Sequence, residues 1–124
     1  MIVVEAEKPV LGNWDALRLD QAFGNLLNNA LNYGRGKPIE VHVWQADGKA
    51  FVSVRDHGPG VAPEDRERIF GRFRRATASR GRGFGLGLWI VRRIATAFGG
   101  DVSVAAADGG GALFTLELPV QTPT

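Results

Sequence analysis

Residues 17–33, LRLDQAFGNLLNNALNY, constrain the fold of this 124-residue chain more than any other stretch. Wound at helical pitch, they divide into two arcs. Ala16, Leu19, Ala22, Phe23, Leu26, Leu27, Ala30 and Leu31 form a broad apolar arc that needs a sheet or a second helix against it. Arg18, Gln21, Asn25, Asn28, Asn29 and Asn32 fall opposite. A solvated helix face is usually built from Lys, Glu and Arg, whereas each Asn costs a helix roughly 0.6 kcal/mol relative to Ala. Four Asn within eight residues therefore point to chemistry as much as to solvation. Asn25 and Asn29 are one turn apart, so their amides project side by side. An amide oxygen is a hard, neutral ligand suited to Mg²⁺ that leaves room for waters and phosphate oxygens. Taken alone, the stretch fits an Asn-rich surface helix and a metal-facing helix equally well.

The length allows one domain with one core. With 44% hydrophobic and 23% charged residues the chain is globular rather than disordered. It contains no Cys, which excludes disulfides and thiolate metal sites. No apolar run is long enough to span a bilayer and no signal peptide is evident, so a cytoplasmic domain without direct membrane contact is expected. Net charge is only +2, but between residues 62 and 82 seven Arg stand against three acids. Such a stretch favours an anionic partner: a nucleotide, a nucleic acid or an acidic protein.

The remaining pattern predicts an edge strand over 1–6 and a turn over 9–13, with Asn13 capping a helix over 14–33 that Gly34, Gly36 and Pro38 end. A period-two strand over 39–45, an Asp47-Gly48 turn and a returning strand over 50–56 read as a hairpin. A short helix opens at Pro63 and runs to about 69, an Arg- and Gly-rich loop fills 70–82, and a second helix covers 85–98. Strands over 101–106 and 112–118 close the chain. Two helices on one face of a mixed sheet give an α/β fold, a two-layer sandwich.

Three constellations carry chemistry. Asp56 ends a strand just before Gly58-Pro59-Gly60, where glycines would let a flat ligand approach the backbone and the carboxylate could accept from an exocyclic amine. As an isolated motif, an Asx-type turn serving its own loop is the better reading. Gly83, Gly85, Leu86 and Gly87 lie at a helix start, where bare N–H groups suit phosphate; a flexible hinge is the less favoured alternative. Neither the dinucleotide GxGxxG spacing nor a P-loop is present. Arg72, Arg74, Arg75, Arg80 and Arg82 lie between these glycine motifs, suited to closing over a triphosphate. Nucleic-acid binding is not expected, because only Phe70 and Phe73 interleave with the Arg and their spacing fits docking into a core. His42 and His57 are too isolated for a metal site or a hydrolase triad, and His42 is expected exposed.

Four stretches in this order resemble the boxes of one family. Asn25 to Tyr33 (NLLNNALNY) resembles the N box of sensor histidine kinases, and Asp56 to Val61 (DHGPGV) their G1 box. Arg68 to Arg75 (RIFGRFRR) resembles the F box, and Gly83 to Ala95 (GFGLGLWIVRRIA) the G2 box. The chain is thereby similar to the catalytic ATP-binding domain of a histidine kinase, in the GHKL superfamily with its Bergerat nucleotide fold, over 1–124 with a lid at about 62–83.

The resemblance implies ATP and Mg²⁺ as ligands. Asn29 would be the Mg²⁺ ligand, Asn25 would lie beside the ion and phosphates, and Tyr33 would pack on the nucleoside. Asp56 would accept from the adenine amine in a pocket shaped by Gly58 and Gly60. Arg75 would reach the phosphates, Phe70 and Phe73 would anchor the lid, and Gly83, Gly85, Leu86 and Gly87 would offer amides to phosphate. Two positions depart from the family: Asn32 where it usually has Lys or Arg, and Ala112 where it often has Ser or Thr. Hydrolysing superfamily members have a Glu general base where Asn25 stands, and an amide cannot take that proton. The implied reaction is therefore transfer of the γ-phosphoryl group to a His on a separate dimerisation domain, with a response regulator downstream. The isolated domain is expected to be a monomer and weakly active; its parent is expected to be a homodimer, anchored in the inner membrane or soluble. Alternatives are a degenerate nucleotide-binding module that switches a partner without transfer, and an anti-sigma-type kinase acting on Ser.

Overall fold

The computed structural model describes residues 2–6, 14–34, 37–71 and 87–120. Strand β1 (Ile2–Ala6) precedes helix α1 (Ala16–Gly34), and the hairpin β2 (Ile39–Ala46) and β3 (Lys49–Arg55) follows. Two 3₁₀ turns (Pro63–Asp65 and Arg68–Phe70) come next, then α2 (Gly87–Ala97), β4 (Asp101–Ala106) and β5 (Ala112–Pro119). The sheet order is β1-β2-β3-β5-β4. β1 runs parallel to β2 and every other pairing is antiparallel, so the sheet is mixed as expected.

The helices supply one layer and the sheet the other. Ala22, Leu26 and Ala30 of α1 and Leu88, Val91, Ile94 and Ala95 of α2 are buried with inward residues of β2 to β5, among them Val41, Val54, Val102 and Phe114. β5 shows the period most clearly: Ala112, Phe114, Leu116 and Leu118 are buried and the residues between them are not. On the far face His42 is exposed, and Trp44 stacks on its cross-strand partner Phe51 at 5.1 Å between ring centres. Trp14 Nε1 donates to Pro119 O at 3.0 Å, tying the entry of α1 to the end of β5.

Several local expectations change. The cap of α1 is Asp15, whose Oδ1 accepts from Leu17 N and Arg18 N at 3.0 and 3.3 Å; Asn13 lies outside the described residues. Leu31 is 52% exposed, because five positions beyond Leu26 it has turned most of the way round the helix. Asn29 is 8% exposed, because three positions beyond Leu26 it stays at the rim of the buried stripe. The single short helix over 63–69 is two 3₁₀ turns, in which Asp65, Arg66, Phe70 and Gly71 each donate three residues back. So short a segment does not repay α-helix nucleation, and two tight turns bring Asp65, Ile69 and Phe70 all inward. Phe70 is thus not loop: it is 2% exposed and meets Phe114 edge-on at 6.2 Å. Residues 72–86, with most of the expected lid and the first two residues of the expected second helix, lie outside the described part.

Candidate functional site

Asp56 follows the last residue of the central strand β3, where its backbone N–H donates to Ala112 O at 3.0 Å. Its carboxylate is 2% exposed. Oδ1 accepts from Gly58 N at 2.9 Å and Ala112 N at 3.1 Å. The first contact is the Asx turn; the second joins that turn to β5. Both fall on Oδ1, and among the described residues Oδ2 takes no hydrogen bond. One oxygen holds the loop and the other is left for a donor from outside, so the two readings of this motif are compatible. Asp56 and Ala112 also meet the Ala112 departure, because the contact to this carboxylate comes from the Ala112 backbone and needs no hydroxyl.

A second glycine turn packs against the Asp56 turn. Gly60 (φ +80°) comes up to Gly111 O, 3.3 Å from where its Cβ would be. Gly111 (φ +91°) lies so close that an added Cβ would be 2.0 Å from Asp56 O. The Arg55 guanidinium holds the same turn by donating to the carbonyls of Asp108 and Gly110. Neither Gly111 nor Arg55 stands out in the sequence, although the run Gly109-Gly110-Gly111 before the last strand was a usable signal. His57 Nε2 lies 3.1 Å from Glu40 Oε2, a pair at the surface.

α1 approaches this corner at its C-terminal end. A Cβ on Gly34 would lie 3.6 Å from Asp56 Cβ. Asn29 is five residues back along the helix, about 7.5 Å of rise, and Asn25 one turn further. Asn25 is half-buried and its Nδ2 donates to Gly87 O at 3.4 Å, which joins α1 to the first turn of α2. Asn29 is buried, yet among the described residues its amide makes no hydrogen bond. Its amide atoms are not sealed from solvent, so the residue stands at the rim of the core with its hydrogen-bonding capacity unspent. Its neutral oxygen suits Mg²⁺ with several waters and phosphate oxygens kept on the ion. Asn28 and Asn32 are exposed, so the Asn-rich arc splits into an inward pair and an outward pair.

The structure gathers Gly58, Gly111 and Gly34 around Asp56, with Gly60 against Gly111, and joins Asn25 to Gly87. The side chain of Tyr33 and residues Phe73, Arg75, Gly83, Gly85 and Leu86 lie outside the described part. No helix of the described residues is long and apolar enough to cross a membrane.

Residues 14–122 match the model of the family described as histidine kinase-, DNA gyrase B-, and HSP90-like ATPase. The chain is 43% identical, over 94% of its length, to the signal transduction histidine-protein kinase AfsQ2 of Streptomyces coelicolor. It is 42% identical, over 90%, to the sensor protein RstB of Escherichia coli. It spans only 22% and 27% of those two relatives. Among solved structures, full-length ShkA in complex with AMPPNP superposes with a TM-score of 0.84 at 36% identity, over 99% of this chain and 26% of that one. The catalytic domain of histidine kinase ThkA gives 0.85 at 28% identity, over 98% of this chain and 80% of that one.

Proposed function

The chain belongs to the family of histidine kinase-, DNA gyrase B-, and HSP90-like ATPases, as a sensor-histidine-kinase catalytic ATP-binding domain, and on that premise we propose that residues 1–124 bind MgATP and pass its γ-phosphoryl group to a His on a separate dimerisation domain. The observation that carries this reading is the Asp56 carboxylate, buried with Oδ1 fixed by two backbone donors and Oδ2 open. An acceptor fixed in that way matches the exocyclic amine of adenine and discriminates against bases without one.

Asn29 would hold Mg²⁺ through its amide oxygen, with Asn25 beside it. When bound, the ion draws charge from the β- and γ-phosphate oxygens. Asn25 cannot act as a base, so water at the γ-phosphorus gains no proton acceptor from it. An imidazole needs none to attack: its unprotonated nitrogen forms the N–P bond as the bond from phosphorus to the β-bridging oxygen breaks. ADP leaves with the electron pair, and the ring proton on the other nitrogen passes to water. Catalysis is then mostly positioning and charge stabilisation. Gly58 and Gly60 would shape the base pocket, Tyr33 would cover the nucleoside, and Arg75 with the amides of Gly83, Gly85, Leu86 and Gly87 would meet the phosphates. A response regulator would receive the phosphoryl group from the His.

Asp56→Ala is expected to weaken ATP binding about 100-fold, the cost of a lost buried hydrogen bond to a charged acceptor, with an unchanged circular dichroism spectrum. Undiminished affinity would remove the nucleotide reading. With γ-labelled ATP and an added His-bearing dimerisation domain, acid-labile label is expected, and Asn29→Ala should abolish its Mg²⁺ dependence. Tight nucleotide binding with no label at all would favour a switching module instead, a reading supported by the uncharged, exposed Asn32.

A further inference from the structure

Arg92 lies on the second turn of α2, and each of its three guanidinium nitrogens is used in a different direction. Nε meets Asp101 Oδ1 at 3.1 Å and Nη2 donates to Val102 O at 2.9 Å, both on β4. Nη1 donates to Glu67 Oε1 at 2.9 Å, and the guanidinium carbon lies 4.4 Å from the centre of the Phe70 ring. The β4 half is rigid: Asp101 Oδ1 also accepts the Val102 N–H at 2.8 Å, within a paired strand. The other half grips the short segment between the Asp56 turn and the Arg-rich stretch. Burial of the cation works against its charge, but the hydrogen bond to Glu67 and the charges of Asp101 and Glu67 outweigh it and raise its pKa further.

The fold makes this grip consequential. The chain leaves the sheet at Asp56, the base end of the site, and is fixed to the core again by Val61, by the buried Asp65 and then by Ile69 and Phe70. α2, on which Arg92 sits, begins at Gly87, whose carbonyl accepts from Asn25 at the phosphate end. We infer that Arg92 is a positioning residue for the triphosphate: through Glu67 and Phe70 it fixes the 67–70 segment against the helix that Asn25 holds, and so sets the spacing between the two ends of the site. The inference rests on the nucleotide reading above.

A Lys at 92 would keep the charge but has one compact ammonium, which cannot span Glu67, Asp101 and Val102 O together. Glu67 has an 84% exposed side chain, so by itself its pair with Arg92 contributes little to stability. That separates position from stability. The test is the Kd of the 124-residue chain for MgATP and for adenosine, measured by calorimetry beside the melting temperature. Arg92→Met is expected to weaken ATP roughly tenfold and Glu67→Gln about threefold, with Arg92→Lys closer to Met than to Arg and adenosine unchanged throughout. Asp101→Asn, which loosens only the β4 side, should lower the melting temperature and leave ATP affinity unchanged. Variants of Glu67 and Arg92 that melt lower but bind ATP as before, or that weaken ATP and adenosine equally, would overturn the inference. Failure of the nucleotide reading would show differently, as a wild-type chain that binds neither ligand.

Discussion

The proposed base end and the proposed phosphate end of the site are built from different materials. Around Asp56 the fixed partners are backbone: the N–H groups of Gly58 and Ala112, the carbonyl of Gly111 and the close approach of Gly60. Around Asn25 and Asn29 the ligand-facing groups are side chains on a helix, one held by a single long hydrogen bond and the other by none. A cradle made of backbone is rigid and tolerates almost no added atom. A row of amides is replaceable without loss of fold, and its selectivity depends on which side chains occupy it. Stability and binding should therefore fall together where the backbone of the first end is disturbed, and be separable at the second.

The sharpest way to break the contrast is Gly111→Ala. The new Cβ would meet a backbone oxygen at 2.0 Å, in a conformation that L residues avoid. A loss of about 3 kcal/mol or more is expected by denaturant unfolding, with nucleotide binding lost as well. Asp56→Asn comes next and divides the cradle from its ligand. The amide oxygen can still accept from Gly58 and Ala112, so stability should change by less than about 1 kcal/mol, while an NH₂ facing the adenine amine should weaken ATP binding by about 2 kcal/mol. Asn29→Leu should act on binding almost alone. Its amide reaches solvent, so an apolar group of similar size should change stability by less than about 1 kcal/mol, while Mg²⁺-dependent ATP affinity should fall about tenfold. The smallest effect belongs to Asn25→Ala, which removes a 3.4 Å hydrogen bond and should cost about 0.5 kcal/mol in stability. A larger loss there would mean that the α1–α2 joint, and not the ligand, is the main reason for Asn25.

Much of this was legible because the relevant signals are local. The arcs of α1, the Asp47-Gly48 hairpin and the alternation in β5 are periodic, and one face is buried against a single sheet. Asp56 was legible from the glycines that follow it. What escaped depends on contacts between distant stretches. Gly111 matters only because β5 returns beside β3, a pairing no window of sequence contains. Arg92 reads as one more charge on a helix until β4 and the 67–70 turns close around it. The Asn arc shows the limit of pitch alone: it groups Asn28 and Asn32 with Asn25 and Asn29, but only the docking of α1 on α2 turns the latter pair inward.

β5 is the fourth strand across the sheet but the final one in the chain, inserted between β3 and β4. During synthesis on a ribosome everything before it must wait. The inner edge of β3 stays open, β4 has no neighbour, and Asp56 lacks one of the two donors that hold its carboxylate. A nascent chain at this stage carries an apolar half-sheet, the kind of surface that invites aggregation. Competence to take up a nucleotide should thus arrive abruptly, once β5 has emerged, and truncation just short of β5 should give insoluble protein and not a weakened binder.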